Sequence, residues 1–197
     1  MYDFRRWTEE QRQQVVTTRI HRGYPWHSPP HVEVPGCFRI VTGVCFQHAH
    51  HLSSSARIEW FEQELLNHIR NQDLECTAWV VLSNHYHLLV KITDMKAFVR
   101  LQGQLHGRTA YAMNSEDETR GRQVWYRCQD RCMRNERHYY TTLNYIHNNP
   151  VKHGYVKLWG EWPFSSFHWY LQTKGRDWLA DVWRSYPIRN YGDSWDV

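Results

Sequence analysis

The chain has 197 residues, with 24 Lys and Arg against 20 Asp and Glu, 14 histidines and a net charge of +4. That length favours one domain with appendages, and the charge gives only a mild bias toward polyanions. Mean hydropathy is −0.76 and no apolar run approaches the ~18 residues of a membrane span, which excludes a membrane-spanning helical protein.

Residues 1–36 read as an extension: a short helix over residues 8–22, then Tyr24-Pro25-Trp26-His27-Ser28-Pro29-Pro30-His31, whose prolines block regular structure. Residues 37–46 predict a first strand, rich in β-branched and aromatic residues, followed by a polar loop carrying His48, His50 and His51. Over residues 56–71, Ile58, Phe61, Leu65, Leu66 and Ile69 recur at helical spacing, with three serines upstream as N-cap candidates. Residues 76–92 predict a hairpin or bulged strand pair, in which Tyr86, Leu88, Val90 and Ile92 face the core and His85, His87 and Lys91 face the other way. A second helix is expected over residues 95–113, and an exposed, Arg-rich strand over residues 124–133. A last core helix spans residues 136–149 and is expected to stop at Pro150, because proline disfavours helix at the residue before it. The order β-α-β-β-α-β-α implies an α+β fold, an antiparallel sheet with helices packed on it.

The five cysteines, Cys37, Cys45, Cys76, Cys128 and Cys132, form an odd set with no CxxC pair. With no signal peptide ahead of them, they are expected to be reduced in a cytoplasmic protein. Cys128 and Cys132, four apart, fit no common zinc ribbon or finger. Eleven Trp, twelve Tyr and seven Phe suit stacking on unpaired bases, although any single ring can equally fill a core.

Two places carry chemistry. His85 and His87 in a strand lie on one face, because strand side chains alternate. In the last helix Tyr139, Leu143 and Ile146 follow the spacing of a buried stripe, whereas Thr142, Tyr145 and Asn149 form a separate polar row expected to point away from it. If strand and helix meet, His85, His87 and the Asn149 oxygen can surround one divalent cation, with the Tyr145 hydroxyl beside whatever that cation polarises. Imidazole and amide ligation suits Mg²⁺ or Mn²⁺ in turnover, while two histidines also attract Zn²⁺, Co²⁺ or Ni²⁺. The set outlines phosphoryl transfer by a tyrosine nucleophile. A metal-dependent hydrolase using water as nucleophile is the alternative.

The segments Ser83-Asn84-His85-Tyr86-His87-Leu88-Leu89-Val90 and Tyr145-Ile146-His147-Asn148-Asn149-Pro150-Val151-Lys152-His153-Gly154 resemble the single-tyrosine HUH transposases, and among them the REP-associated tyrosine transposase branch. Val124-Trp125, Arg134-Asn135-Glu136 and Trp162-Pro163-Phe164-Ser165-Ser166-Phe167 support the likeness, which covers roughly residues 37–171. The resemblance implies a ferredoxin-like HUH fold that nicks single-stranded DNA beside an imperfect hairpin of a repeated palindrome, leaving a 5′-phosphotyrosine and a free 3′-OH. On that resemblance Tyr145 is the nucleophile, His85 and His87 are the paired metal ligands and Asn149 the third. It further implies a monomer or homodimer and a nucleoid-associated, cytoplasmic location, with a domesticated hairpin-binding protein as the alternative to an active enzyme. The catalytic domain is expected over residues 37–172 and an aromatic, basic tail over residues 173–197, which carries Trp178, Trp183, Tyr186, Tyr191 and Trp195. Arg127, Arg131, Arg134, Lys152 and Arg189 are candidate DNA contacts.

Overall fold

The computed structural model describes residues 8, 10, 14, 36–126 and 128–192. The chain divides into two compact units, Met1–Val32 with Asn190–Val197, and Glu33–Arg189. The predicted helix of residues 8–22, the proline-rich segment after it, Arg127 and Trp195 lie outside the described residues, apart from the isolated positions 8, 10 and 14.

The second unit is built from β1 (Cys37–Val44), α1 (Ser55–Arg70), β2 (Cys76–Val81), β3 (His85–Ile92), α2 (Met95–Glu116), β4 (Gln129–Cys132), α3 (Glu136–Lys152), α4 (Phe167–Lys174) and α5 (Arg176–Ser185). The four strands form one antiparallel sheet in the order β2-β3-β1-β4, the ferredoxin-like arrangement expected from the element order. β2 and β3 form the expected hairpin, joined by a tight connection that contains Ser83 and Asn84, and carry a register irregularity between Cys76 and Ala78.

Alternation sends the two sets of β3 side chains to different layers. Tyr86, Leu88, Val90 and Ile92 join Val41, Phe61, Leu65, Phe98 and Leu105 in the core beneath α1 and α2. The opposite face, bearing His85 and His87, is covered by α3, which packs on β2 and β3. Both core helices begin on side-chain caps: Ser54 accepts from Arg57 N at 3.2 Å and Asp94 from Ala97 N at 3.0 Å.

Gly43 is the β1 position opposite Tyr86, and the tyrosine ring fills the space that any side chain at residue 43 would take. That close approach lets the Tyr86 ring lie over β1, with its hydroxyl reaching Gln102 Oε1 at 3.0 Å and His106 Nε2 at 2.9 Å on α2. Tyr86 is therefore a core residue with a satisfied polar tip.

The structure corrects four expectations. First, α3 does not stop at Pro150 but runs to Lys152 with the proline inside. It closes on a Schellman motif: Gly154 adopts φ +72°, Gly154 N donates to Val151 O (3.0 Å) and Tyr155 N to Pro150 O (2.9 Å). The missing proline N–H costs one bond near the end of a helix already closed by that motif.

Second, Thr142, Tyr145 and Asn149 are buried rather than pointing away from the core. A helix between a sheet and a further helical layer has two buried faces, and a single apolar stripe reveals one of them. Third, Cys37 and Cys132 are joined as a disulfide, so the expectation of five reduced thiols fails for two of them. β1 and β4 are neighbours in which Arg39 pairs with Cys132, which brings the sulfurs together; Cys45, Cys76 and Cys128 are free. Fourth, the last strand is confined to Gln129–Cys132, with Trp125 making only an isolated bridge to Cys45.

The boundary expected at residue 172 falls inside α4, and the compact unit continues to Arg189. α5 packs on α3, where Asn144 Nδ2 donates to Val182 O (3.1 Å) and Tyr186 O (2.9 Å). Trp178 stacks on Tyr170 at 5.4 Å and Tyr186 on Tyr140 at 4.9 Å, so these two rings are engaged within the fold. Residues 164–166 close the outer edge of β2: Val81 N donates to Phe164 O at 3.0 Å and Ser166 N to Trp79 O at 3.0 Å. An otherwise open strand edge is thereby paired.

Candidate active site

β3 supplies two imidazoles to the face beneath α3, and α3 supplies a phenol, an amide and an ammonium at positions 145, 149 and 152, which share one helix face. The His85 and His87 rings stand 5.1 Å apart, and the Tyr145 ring lies 5.3 Å from that of His87. His85 Nε2 is 3.0 Å from Asn149 Oδ1. Strand and helix of one chain thus bring together His85, His87, Tyr145 and Asn149.

The tautomer follows from the neighbours. His85 Nδ1 is 2.7 Å from the Asn84 side-chain oxygen, which has only lone pairs to offer, so Nδ1 carries the proton and donates. Nε2 then presents a lone pair toward the Asn149 oxygen, another lone-pair atom. With Nδ1 alone protonated, a cation beside the two acceptors would relieve their repulsion at 3.0 Å, whereas a ring protonated on both nitrogens would donate to both oxygens. That separation matches two adjacent ligands each about 2.1 Å from one Mg²⁺-sized ion. His87 Nδ1 is held in the same way, 2.9 Å from Thr42 Oγ1 on the paired position of β1, and this orientation is typical of metal-bound histidines. The donor chemistry therefore fits a divalent cation held by His85, His87 and Asn149. Among the described residues no three His, Cys, Asp or Glu side chains converge on a point.

Tyr145 is only 1% exposed, and the exposed Lys152 reaches back over it. Its Nζ is 3.5 Å from the Tyr145 hydroxyl and 5.1 Å from the ring centroid, a cation–π position. Arg131 pairs with Ile40, which in turn pairs with Leu89, so it emerges on the same sheet face as His85 and His87. Arg134 precedes the Asn135 cap of α3, roughly 16 Å along the helix direction from Tyr145 at 1.5 Å per residue. Arg189 is exposed near the end of the unit. Arg131 is thus near the site face, and Arg134 stands apart from Tyr145.

Several residues gain a role that spacing could not assign. Asn84 orients His85 and also donates from Nδ2 to His48 O at 3.4 Å. Its position directly before the histidine was the available signal. Thr42 needed the β1–β3 register. His153, on the turn after α3, places its ring 5.0 Å from His85. Ser83 bonds both His50 Nδ1, at 2.5 Å, and the Tyr155 hydroxyl, tying two distant segments to the turn that carries Asn84 and His85. His147 is not at the site: its Nε2 is 3.0 Å from Ser166 Oγ among the rings of Trp159, Phe167 and Tyr170. Burial there pushes its pKa down to about 3 and keeps it neutral.

Comparison with known proteins gives a consistent picture. The chain is 31% identical over 118 residues to a REP-associated tyrosine transposase of Escherichia coli (strain K12), a match spanning 57% of this chain and 67% of that protein. It is also 31% identical over 104 residues to a protein of Haemophilus influenzae assigned to the same group, spanning 48% of this chain and 59% of the relative. A solved structure of a REP-associated tyrosine transposase bound to a REP hairpin has the same fold, with a TM-score of 0.60 at 22% identity over 76% of this chain and 87% of the other. No family model matches the chain.

Proposed function

Because the chain belongs to the REP-associated tyrosine transposase family, we propose that it is a single-strand DNA endonuclease and strand transferase that acts beside hairpins of repeated palindromic elements. The observation that carries this reading is the meeting of Tyr145 with His87, and of Asn149 with His85, inside one chain. The hairpin bound to the structural relative supports a DNA hairpin as the partner.

In this reading the Tyr145 hydroxyl attacks the phosphorus of a phosphodiester. The P–O3′ bond breaks, the 3′ oxygen leaves and takes a proton to become a free 3′-OH, and the 5′ phosphate stays esterified to Tyr145 as the tyrosine proton passes to solvent. The ester bond is conserved, so a second 3′-OH can displace Tyr145 without an external energy source. A bound Mg²⁺ or Mn²⁺ on His85, His87 and Asn149 would neutralise charge developing on the phosphate oxygens. Asn84 and Thr42 fix the two imidazoles, and α3 holds the phenol against them, so orientation is set before DNA arrives. Arg131, Arg134 and Arg189 are assigned to the DNA backbone, and Arg127 stays a candidate on sequence grounds.

Protein incubated with Mg²⁺ or Mn²⁺ and a labelled stem-loop DNA carrying single-stranded tails should yield a denaturant-resistant protein–DNA adduct that Tyr145→Phe cannot form. An adduct with the Phe variant would remove Tyr145 as nucleophile. Hairpin binding without any adduct would make the protein a binding module, and cleavage that never traps protein would point to attack by water.

A further inference from the structure

We infer that Lys152 is a catalytic residue that grips the scissile phosphate and offsets the charge built up as Tyr145 attacks it. The inference rests on Tyr145 being the nucleophile and goes beyond a general role of Lys152 in holding DNA.

Tyr145, Asn149 and Lys152 occupy positions i, i+4 and i+7 of α3, one face of the helix. The first two are buried against β3, whereas Lys152 is exposed on the last turn. Its ammonium nevertheless folds back to 3.5 Å from the Tyr145 hydroxyl. Any phosphorus attacked by that hydroxyl brings its non-bridging oxygens into the same space. An ammonium already there is within one charge-assisted hydrogen bond of them, with no rearrangement of the helix. The His87 ring packs against the same phenol at 5.3 Å, so a phosphate at the Tyr145 hydroxyl would meet both the histidine pair on β3 and a cation supplied by α3 itself.

A competing explanation is purely structural: a cation at the C-terminal end of α3 is favoured by the helix dipole and by the Tyr145 ring. Arginine preserves both of those terms and the charge, whereas glutamine keeps polarity, is one atom shorter and removes the charge. The two accounts therefore separate on kinetics.

The probe is a DNA stem-loop with randomised single-stranded tails, from which wild-type full-length protein selects the species it traps covalently in Mn²⁺. One recovered sequence then serves for all variants. With that DNA saturating, Lys152→Gln should slow single-turnover adduct formation on the order of 10²-fold, shift hairpin Kd less than threefold and leave Tm within a degree or two of wild type. Lys152→Arg should recover most of the rate. Replacing each non-bridging oxygen of the scissile phosphate by sulfur, one stereoisomer at a time, should slow the wild type with one isomer by a factor that disappears in Lys152→Gln. The proposal is overturned if Lys152→Gln forms adduct within threefold of the wild-type rate, if its whole loss appears in Kd, or if both sulfur effects survive the substitution. Adduct formation by wild type and not by Tyr145→Phe upholds the parent reading whatever Lys152 does. Absence of adduct from wild type defeats both.

Discussion

Asn84 shows how one side chain can govern another's chemistry. Its oxygen, 2.7 Å from His85 Nδ1, favours the tautomer whose Nε2 carries the lone pair that would coordinate a cation. Asn84→Ala is expected to weaken Mn²⁺ binding by 10- to 100-fold without unfolding the chain, measured by titration calorimetry with no DNA present. Unchanged affinity would mean that the amide does not orient the ring. Gly43 governs its neighbour sterically. Gly43→Ala places a methyl group where the Tyr86 ring lies, and overpacking of this kind costs about 1–3 kcal/mol. Urea unfolding should report that loss, and a smaller residue at position 86 should return part of it. The Gly43 relation could not be read from composition, since it depends on which residue lies across the strand pair; that of Asn84 depends on its being the residue directly before His85.

At the scale of elements, α3 combines what spacing predicts with what it hides. Leu143 and Ile146 are buried as their periodicity requires. Tyr145 and Asn149 share a face by the same periodicity, and that face meets β3. The C-terminal layer on the other side went unread because Asn144 and His147 are polar residues buried through specific partners, Val182 O and Ser166 Oγ. Burial of polar side chains leaves no apolar pattern to detect. The helix end was misjudged for a related reason: Pro150 is a stop signal, yet the Gly154 turn four residues on closes the helix. Gly154→Ala forces a side chain into left-handed backbone and should destabilise the protein by roughly 1–2 kcal/mol, seen as a lower urea midpoint at unchanged slope. An unaltered midpoint would show that this turn does not hold α3 closed.

For the whole molecule, the buried histidines set an acid limit. Burial lowers the His147 pKa to about 3 and that of His106 to about 4, below the ordinary value near 6.5 that both regain on unfolding. Between about pH 6.5 and those values the unfolded chain binds more protons than the folded one, so stability is full above pH 6.5 and falls as the pH drops. Asp117 adds to the loss at lower pH, because hydrogen bonds from Arg57 and Arg122 hold its pKa near 2. Unfolding free energy followed from pH 7 to 4 should therefore decline, and a His106→Gln, His147→Gln double variant should decline less steeply. Equal slopes would contradict the burial argument. Completeness of the site within one chain gives a second test at this scale: mixing Tyr145→Phe with a His85→Ala, His87→Ala variant should not restore adduct formation. Recovery of activity would mean that α3 serves a second copy.

The strand and helix order, the face shared by His85 and His87, and the face shared by Tyr145 and Asn149 were determined by the sequence alone, because periods of 2 and 3.6 are local properties of the backbone. So was membership of a family, whose motifs are contiguous stretches of residues. Only the tertiary structure decided that β3 and α3 face each other at hydrogen-bond distance, that Asn84 and Thr42 orient the imidazoles, that Lys152 covers the phenol, and that residues 176–185 pack as a helix on α3. The β3–α3 meeting, the Thr42–His87 pair and the packing of residues 176–185 join residues far apart in the chain, and such contacts depend on how packed layers meet rather than on any repeat along the sequence; the Asn84 and Lys152 contacts are local but depend on side-chain conformations that spacing does not fix.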